Sequence, residues 1–140
     1  MLHPDFPVVD GLYQLTSDWT INLPEKFNRR VENEDLVLWR PGLTMWVAVW
    51  DGEPEETAEQ RMSSLMDLIN PSAYDLKQES DGSTLRFGYR LREKSEDRRV
   101  PAFYAFVVAA SGHIELAIYF DREEDMRIAE NLWRSIEPSP

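Results

Sequence analysis

Between Val100 and Phe120 the chain is almost wholly apolar, and Ser111-Gly112-His113 divides that run in two. The run is long enough to suggest a membrane span, which takes about 20 helical residues. A span would place a hydroxyl, a glycine, an imidazole and the Glu115 carboxylate at its middle. Two strands joined by a Ser-Gly turn account for the same residues without that cost. The run is therefore expected to form a hairpin at the centre of a sheet. It carries almost no reactive chemistry.

The chain of 140 residues suits one domain (1–140), and an apolar fraction of 42% with five tryptophans supplies a core. Residues 1–10 and 137–140 read as tails. No basic start followed by an apolar leader is visible, so a cytoplasmic protein is expected, or a mature form whose leader was removed. The absence of cysteine removes disulfides, thiol nucleophiles and thiolate metal sites together. A net charge of −11 opposes binding to nucleic acid, which recruits Lys and Arg to phosphates, and to anionic membrane surfaces.

Strands are expected at Gly11–Leu15 and Trp19–Leu23, the second ending at Pro24, with a short one at Phe27–Val31. Leu36–Trp39 and Leu43–Trp50 are joined by Arg40-Pro41-Gly42, where Pro and Gly suit a turn. Pro54 and the glutamates around it open a helix whose stripe is Ala58, Met62, Leu65, Met66 and Ile69, stopped by Asn70-Pro71. A hairpin about Asp81-Gly82 pairs Tyr74–Gln78 with Leu85–Leu91. After the apolar hairpin, Asp121 and Glu124 resemble a capping box for a last helix with the stripe Ile128, Ala129, Leu132, Trp133 and Ile136. The expected class is α+β: an antiparallel sheet of six to seven strands, one helix after the early strands and one at the C-terminus. Short hairpin connections exclude a parallel sheet.

This order of elements, with Trp19-Thr20-Ile21-Asn22-Leu23-Pro24 leading into Phe27, resembles the PsbP/DcrB-like superfamily. The resemblance implies a central antiparallel sheet and a mainly non-catalytic role. Members include photosystem assembly factors, a partner of a small GTPase and chaperones for secreted effectors. Many members carry leaders or lipoprotein signals that this chain does not show.

Turn positions assign side chains to sheet faces. Phe103, Ala105, Val107 and Ala109 fall with Ile114, Leu116, Ile118 and Phe120, an apolar set expected to pack under both helices. The opposite face holds Tyr104, Phe106, Val108 and Ala110 beside His113, Glu115, Ala117 and Tyr119. Trp46, Ala48 and Trp50 make the strand Leu43–Trp50 apolar on both sides as well. Such strands are normally covered on both faces, and ordinary core is the commoner use of such aromatics. An open second face would instead present Trp46, Trp50, Tyr104, Phe106 and Tyr119 as an aromatic floor, bordered by Arg86, Arg90 and Arg92, of the kind that marks a partner site. In the Asp81-Gly82 hairpin, Tyr74 and Leu76 are assigned to the face of Leu85, Phe87, Tyr89 and Leu91, and the arginines to the other.

Recognisable catalysis is missing. His113-Ile114-Glu115 matches only half of a deaminase signature, His113 beside a turn reads as a surface residue, and His3 lies in a tail. The acidic runs Glu53–Glu59 and Asp121–Asp125 coincide with helix starts, where carboxylates are favourable in any case. No cofactor or metal is expected. The basic run from Arg90 to Lys94 and on to Arg98-Arg99 reads chiefly as solvated ion pairs, with carboxylate recognition by Arg forks as its alternative. The sequence thus favours a non-enzymatic protein- or peptide-binding module, a chaperone or adaptor, anchored by Trp46, Trp50, Tyr104, Phe106 and Tyr119 and oriented by Arg90 and Arg92. An acidic immunity-type inhibitor of a basic toxin is the alternative, and a small hydrolase-like enzyme the third. A homodimer is left open.

Overall fold

The computed structural model describes residues 1–93 and 100–140. Lys94 and Arg98-Arg99 of the basic run lie outside the described residues. The strands are β1 (Val8–Gln14), β2 (Trp19–Glu32), β3 (Asp35–Arg40), β4 (Leu43–Asp51), β5 (Tyr74–Asp81), β6 (Thr84–Leu91), β7 (Ala102–Ala109), β8 (Gly112–Phe120) and β9 (Glu137–Pro138), and the helices are α1 (Ala58–Met66) and α2 (Met126–Arg134). All strand pairs are antiparallel, in the order β1-β2-β3-β4-β8-β7-β6-β5, with β9 on β2. The α+β class holds, with nine strands where six or seven were expected. No helix among the described residues is long and apolar enough to cross a membrane.

The apolar run is the hairpin β7–β8, and it lies inside the sheet between β4 and β6. Its turn falls at Ala110-Ser111, one residue earlier on each strand than a Ser-Gly turn, because Ala109 pairs with Gly112. This keeps the face assignment, since both strands shift together. Pro41-Gly42 connects β3 to β4 as expected, with Arg40 opposite Leu43. Pro24 does not end a strand. The ladder steps from Gly11–Leu23 to Val9–Phe27, so β2 carries two extra residues against β1 there. A bulge is where a strand can hold a residue without an N–H donor.

Further departures have local causes. Gly82-Ser83 is the turn of β5–β6, and an irregularity between Tyr74 and Lys77 places Tyr74 opposite Arg90, away from the face of Phe87. Asp75 takes the positive φ of 57° that this needs. Helix α1 starts later than Pro54: Thr57 caps it, exchanging hydrogen bonds with Gln60 in a capping box. Asp121 and Glu124 form no such box. A 3-10 turn, Glu123–Asp125, leads into α2 instead, and its cap makes no side-chain bond.

The helices divide between the two faces. Ala129, Leu132, Trp133 and Ile136 of the C-terminal stripe are buried against Phe103, Ala105, Val107, Ile114, Leu116 and Ile118. This apolar set lies under α2 alone, correcting the expectation that both helices would cover it. Trp19, Ile21, Leu23 and Phe27 of β2 join the same core, and α2 touches β2 as well as β7 and β8. Strands so far apart in the order reach one helix only if the sheet curls around it. The indole N–H of Trp133 donates to the Phe106 carbonyl at 3.1 Å. On the other face α1 sets Met62, Leu65 and Met66, with Ile69 beyond it, on Phe87, Tyr89 and Phe106.

At the start of β8, Gly112 has φ 140°, and an added Cβ would stand 2.1 Å from the Trp50 carbonyl oxygen. Gly82 also has positive φ, 61°, but nothing within 4 Å of that position. Gly112→Ala should therefore cost at least about 3 kcal/mol of unfolding free energy, from backbone strain plus the clash. Gly82→Ala carries the strain alone, about 1–2 kcal/mol. Urea titration of the two variants measures the difference.

Candidate functional site

Beyond α1, the second face keeps half-buried and exposed side chains among the described residues. Register places Arg30, Val37, Trp46, Ala117, Tyr104 and Tyr89 in one row across β2, β3, β4, β8, β7 and β6. A second row holds Ala48, Glu115, Phe106 and Phe87, and a third Trp50, His113 and Val108. On the opposite flank Asn28, Trp39, Thr44 and Tyr119 follow one another. Here the N-terminal residues fold over the sheet: Asn28 accepts from the His3 amide at 2.7 Å and donates to the His3 carbonyl at 3.0 Å, and Phe6 meets the Trp39 ring edge-on at 5.0 Å. His3 is thus tied to the sheet. The result is a trough between the N-terminal segment and α1.

Of the seven expected site residues, Trp46, Tyr104 and Tyr119 lie together in this trough, each half-buried. Trp50, 47% exposed, is on the same face at its α1 end. Phe106 shares the face but is buried beneath α1, stacked on Phe87 with centroids 4.4 Å apart. Arg90 is on the wrong side. Opposite Phe103 in the ladder, it faces α2, buried, where its guanidinium forks onto Glu123 at 2.7 and 2.8 Å and also reaches the Pro101 carbonyl. The hydrogen bond from Arg90 holds the Glu123 carboxyl below its ordinary range. Arg86 is likewise buried on that side, donating to the Ile136 carbonyl at 2.6 Å. Neither arginine borders the floor, because alternation sends both away from Tyr89. Arg92 is exposed and lines a cleft of about 290 Å³ at the sheet end with Thr44, Glu93 and Tyr119.

A further cation borders the floor: the Arg30 guanidinium lies 4.5 Å from the Trp39 ring centre and 5.7 Å from that of Trp46. At the other flank, Tyr104 and Tyr119 both donate to Glu93 Oε1, the Tyr119 bond being 3.0 Å. Trp39, Arg30 and Glu93 escape a sequence reading based on the C-terminal hairpin alone. Their signal was the Pro41-Gly42 turn, which fixes Trp39 opposite Thr44, and the Asn33-Glu34 turn, whose two positive φ values set Arg30 opposite Val37.

Comparison with family models, with curated proteins and with solved structures returns no match.

Glu115, Tyr89 and His113 are titratable groups inside the face. Glu115 is half-buried, and burial first, then the nearby Asp35 carboxylate, push its carboxyl up from its usual value. Burial, with Glu115 second, likewise raises Tyr89. His113 is buried, in contrast to the surface position expected from its place beside a turn. Trp50 stacks on it at 5.0 Å and Arg61 of α1 bonds its Nδ1 at 2.8 Å. Arg61 in turn pairs with Glu56 at 2.8 Å and donates to the Asp51 carbonyl. No cluster of potential metal ligands occurs among the described residues.

Burial, then the Arg61 charge, lowers the His113 pKa from 6.5 to about 4, with Glu56 pulling the other way. Between those pH values the unfolded chain binds a proton that the folded chain refuses. Stability is therefore full above pH 6.5 and falls as the pH drops towards about 4. The His113 contribution should reach about 3 kcal/mol across the interval, from linkage. Unfolding free energies measured against pH for the wild type and for His113→Gln should converge on acidification by that order. Parallel curves would show that His113 is not held neutral.

Proposed function

We propose that this chain is a non-enzymatic binding module that takes up a peptide segment of a partner protein, in the manner of a chaperone or adaptor, in the trough of its second sheet face. The observation that carries the reading is the half-buried set Trp46, Tyr104 and Tyr119, with Trp39 beside Phe6 at its edge, which among the described residues neither α1 nor the N-terminal segment closes off. Trp and Tyr are the residues that most often dominate protein interfaces, since each presents a large rigid apolar area with a polar end. The trough is open along the sheet: a cleft of about 420 Å³ is lined by Thr44, Trp46, Glu93 and Tyr119. The PsbP/DcrB-like resemblance belongs to the same proposal and points to the same non-catalytic class.

Selection from a displayed library of random dodecapeptides tests this. The wild type should enrich a peptide family, and the double variant Trp46→Ala, Tyr104→Ala should enrich none while keeping a cooperative unfolding transition. The double variant should be much less destabilised than Trp133→Ala, which empties a fully buried site and should cost about 3–5 kcal/mol. If the double variant unfolds instead, the two aromatics are core and the reading fails.

A further inference from the structure

We infer that the trough selects a cationic side chain, so that its occupant is a basic amphipathic segment whose Lys or Arg is seated over Ala48 between Glu115 and Asp35. The inference rests on the peptide-binding reading and specifies its partner.

The geometry comes from the ladder. Glu115 lies directly between Ala48 on β4 and Phe106 on β7, with Ala117 and His113 as its same-face neighbours along β8. Trp46, Trp50 and Tyr104 occupy diagonal positions, roughly 7–8 Å away in such a lattice and within reach of large side chains. Ala48 and Ala117 are the smallest side chains of the trough. A carboxylate therefore stands beside the smallest side chains of the face, with aromatic residues at the diagonal positions. Asp35, one place beyond the Leu36–Val47 pair, brings a second carboxylate to the far side of Ala48.

Glu115 makes no hydrogen bond or ion pair among the described residues, and the groups that couple to its charge are themselves acids, Asp35 and the Tyr89 phenol. Guanidinium groups on this face are engaged elsewhere: Arg30 pairs with Glu32 and lies over Trp39, and Arg61 pairs with Glu56. An incoming ammonium or guanidinium would relieve the repulsion between Glu115 and Asp35, and would meet ring faces that attract cations. Its aliphatic stem would lie over the two alanines. An anionic segment would add a charge to a half-desolvated acidic site, in a chain that already carries −11. The apolar part of the segment would then run along Trp46, Tyr104 and Tyr119.

The dodecapeptide library provides the probe. Peptides enriched on the wild type should share a Lys or Arg flanked by apolar residues. Replacing that residue by norleucine should weaken binding by about tenfold or more, the scale of a charge-assisted contact in a partly desolvated site. Glu115→Gln should abolish the difference between the Lys and norleucine forms, while Glu123→Gln, on the α2 side, should preserve it. Enriched peptides without a shared basic residue, or a preference for Lys that survives Glu115→Gln, would overturn the inference and leave the binding reading standing. No enrichment at all would overturn both.

Discussion

The central hairpin is apolar on both of its faces, and the fold follows from the need to cover both. Eight strands at about 4.8 Å spacing make a sheet roughly 35–40 Å across. Each helix has nine residues, about 13 Å of length and about 10 Å of width. Two such rods cannot roof two faces of that sheet. The first face is closed by curling: β2 swings its Trp19, Ile21, Leu23 and Phe27 around α2, and β9 returns the chain end onto β2. Curling helps only the inner face. Among the described residues, the outer face is left with α1 at one side, the N-terminal segment at the other, and a gap between them.

That asymmetry also decides where polar groups can be buried. On the inner face the guanidiniums of Arg86 and Arg90 are buried with partners supplied just after α2 and by the turn before it, the Ile136 carbonyl and the Glu123 carboxylate. Buried cations tolerated in this way hold the ends of α2 to β6, and losing a partner would leave a desolvated charge. On the outer face His113 avoids the same problem by staying neutral against Arg61. Glu115 has no such arrangement and is left half-buried beside a second acid.

Much of this was legible, and the limits have physical causes. Strand alternation assigned every residue of the β7–β8 hairpin to its face, because a two-residue period survives a turn that moves by one residue on each strand. The same rule misplaced Tyr74, because the irregularity before Lys77 breaks the period and no sequence pattern marks it. Pro24 looked like a strand end because a proline cannot donate to a ladder, yet a bulge removes the need for that donor. Trp46, Tyr104 and Tyr119 were found together because they depend on register alone. Arg90 was assigned to the floor although alternation from Tyr89 sends it to the other face, and the burial of His113 depends on a tertiary contact with α1.

The trough is also held more firmly than the rest of the outer face. No residue of α1 is buried, whereas four of α2 are, so the α1 cover over Phe87 and Phe106 is the lighter of the two and relies on flexible Met62 and Met66. The trough beside it is fixed differently. Trp46 lies beside the Arg30 guanidinium, and the hydroxyls of Tyr104 and Tyr119 share one Glu93 oxygen. Side chains held in this way lose little further rotamer freedom when a segment settles on them, which removes one of the main costs of association. A Leu or Ile surface of equal area would have neither the polar ends that satisfy water while it is empty nor the hydrogen bonds that hold it in shape. Half-exposed tryptophan and tyrosine can stay wet or be covered at small cost, and this is the property that the proposed binding role requires.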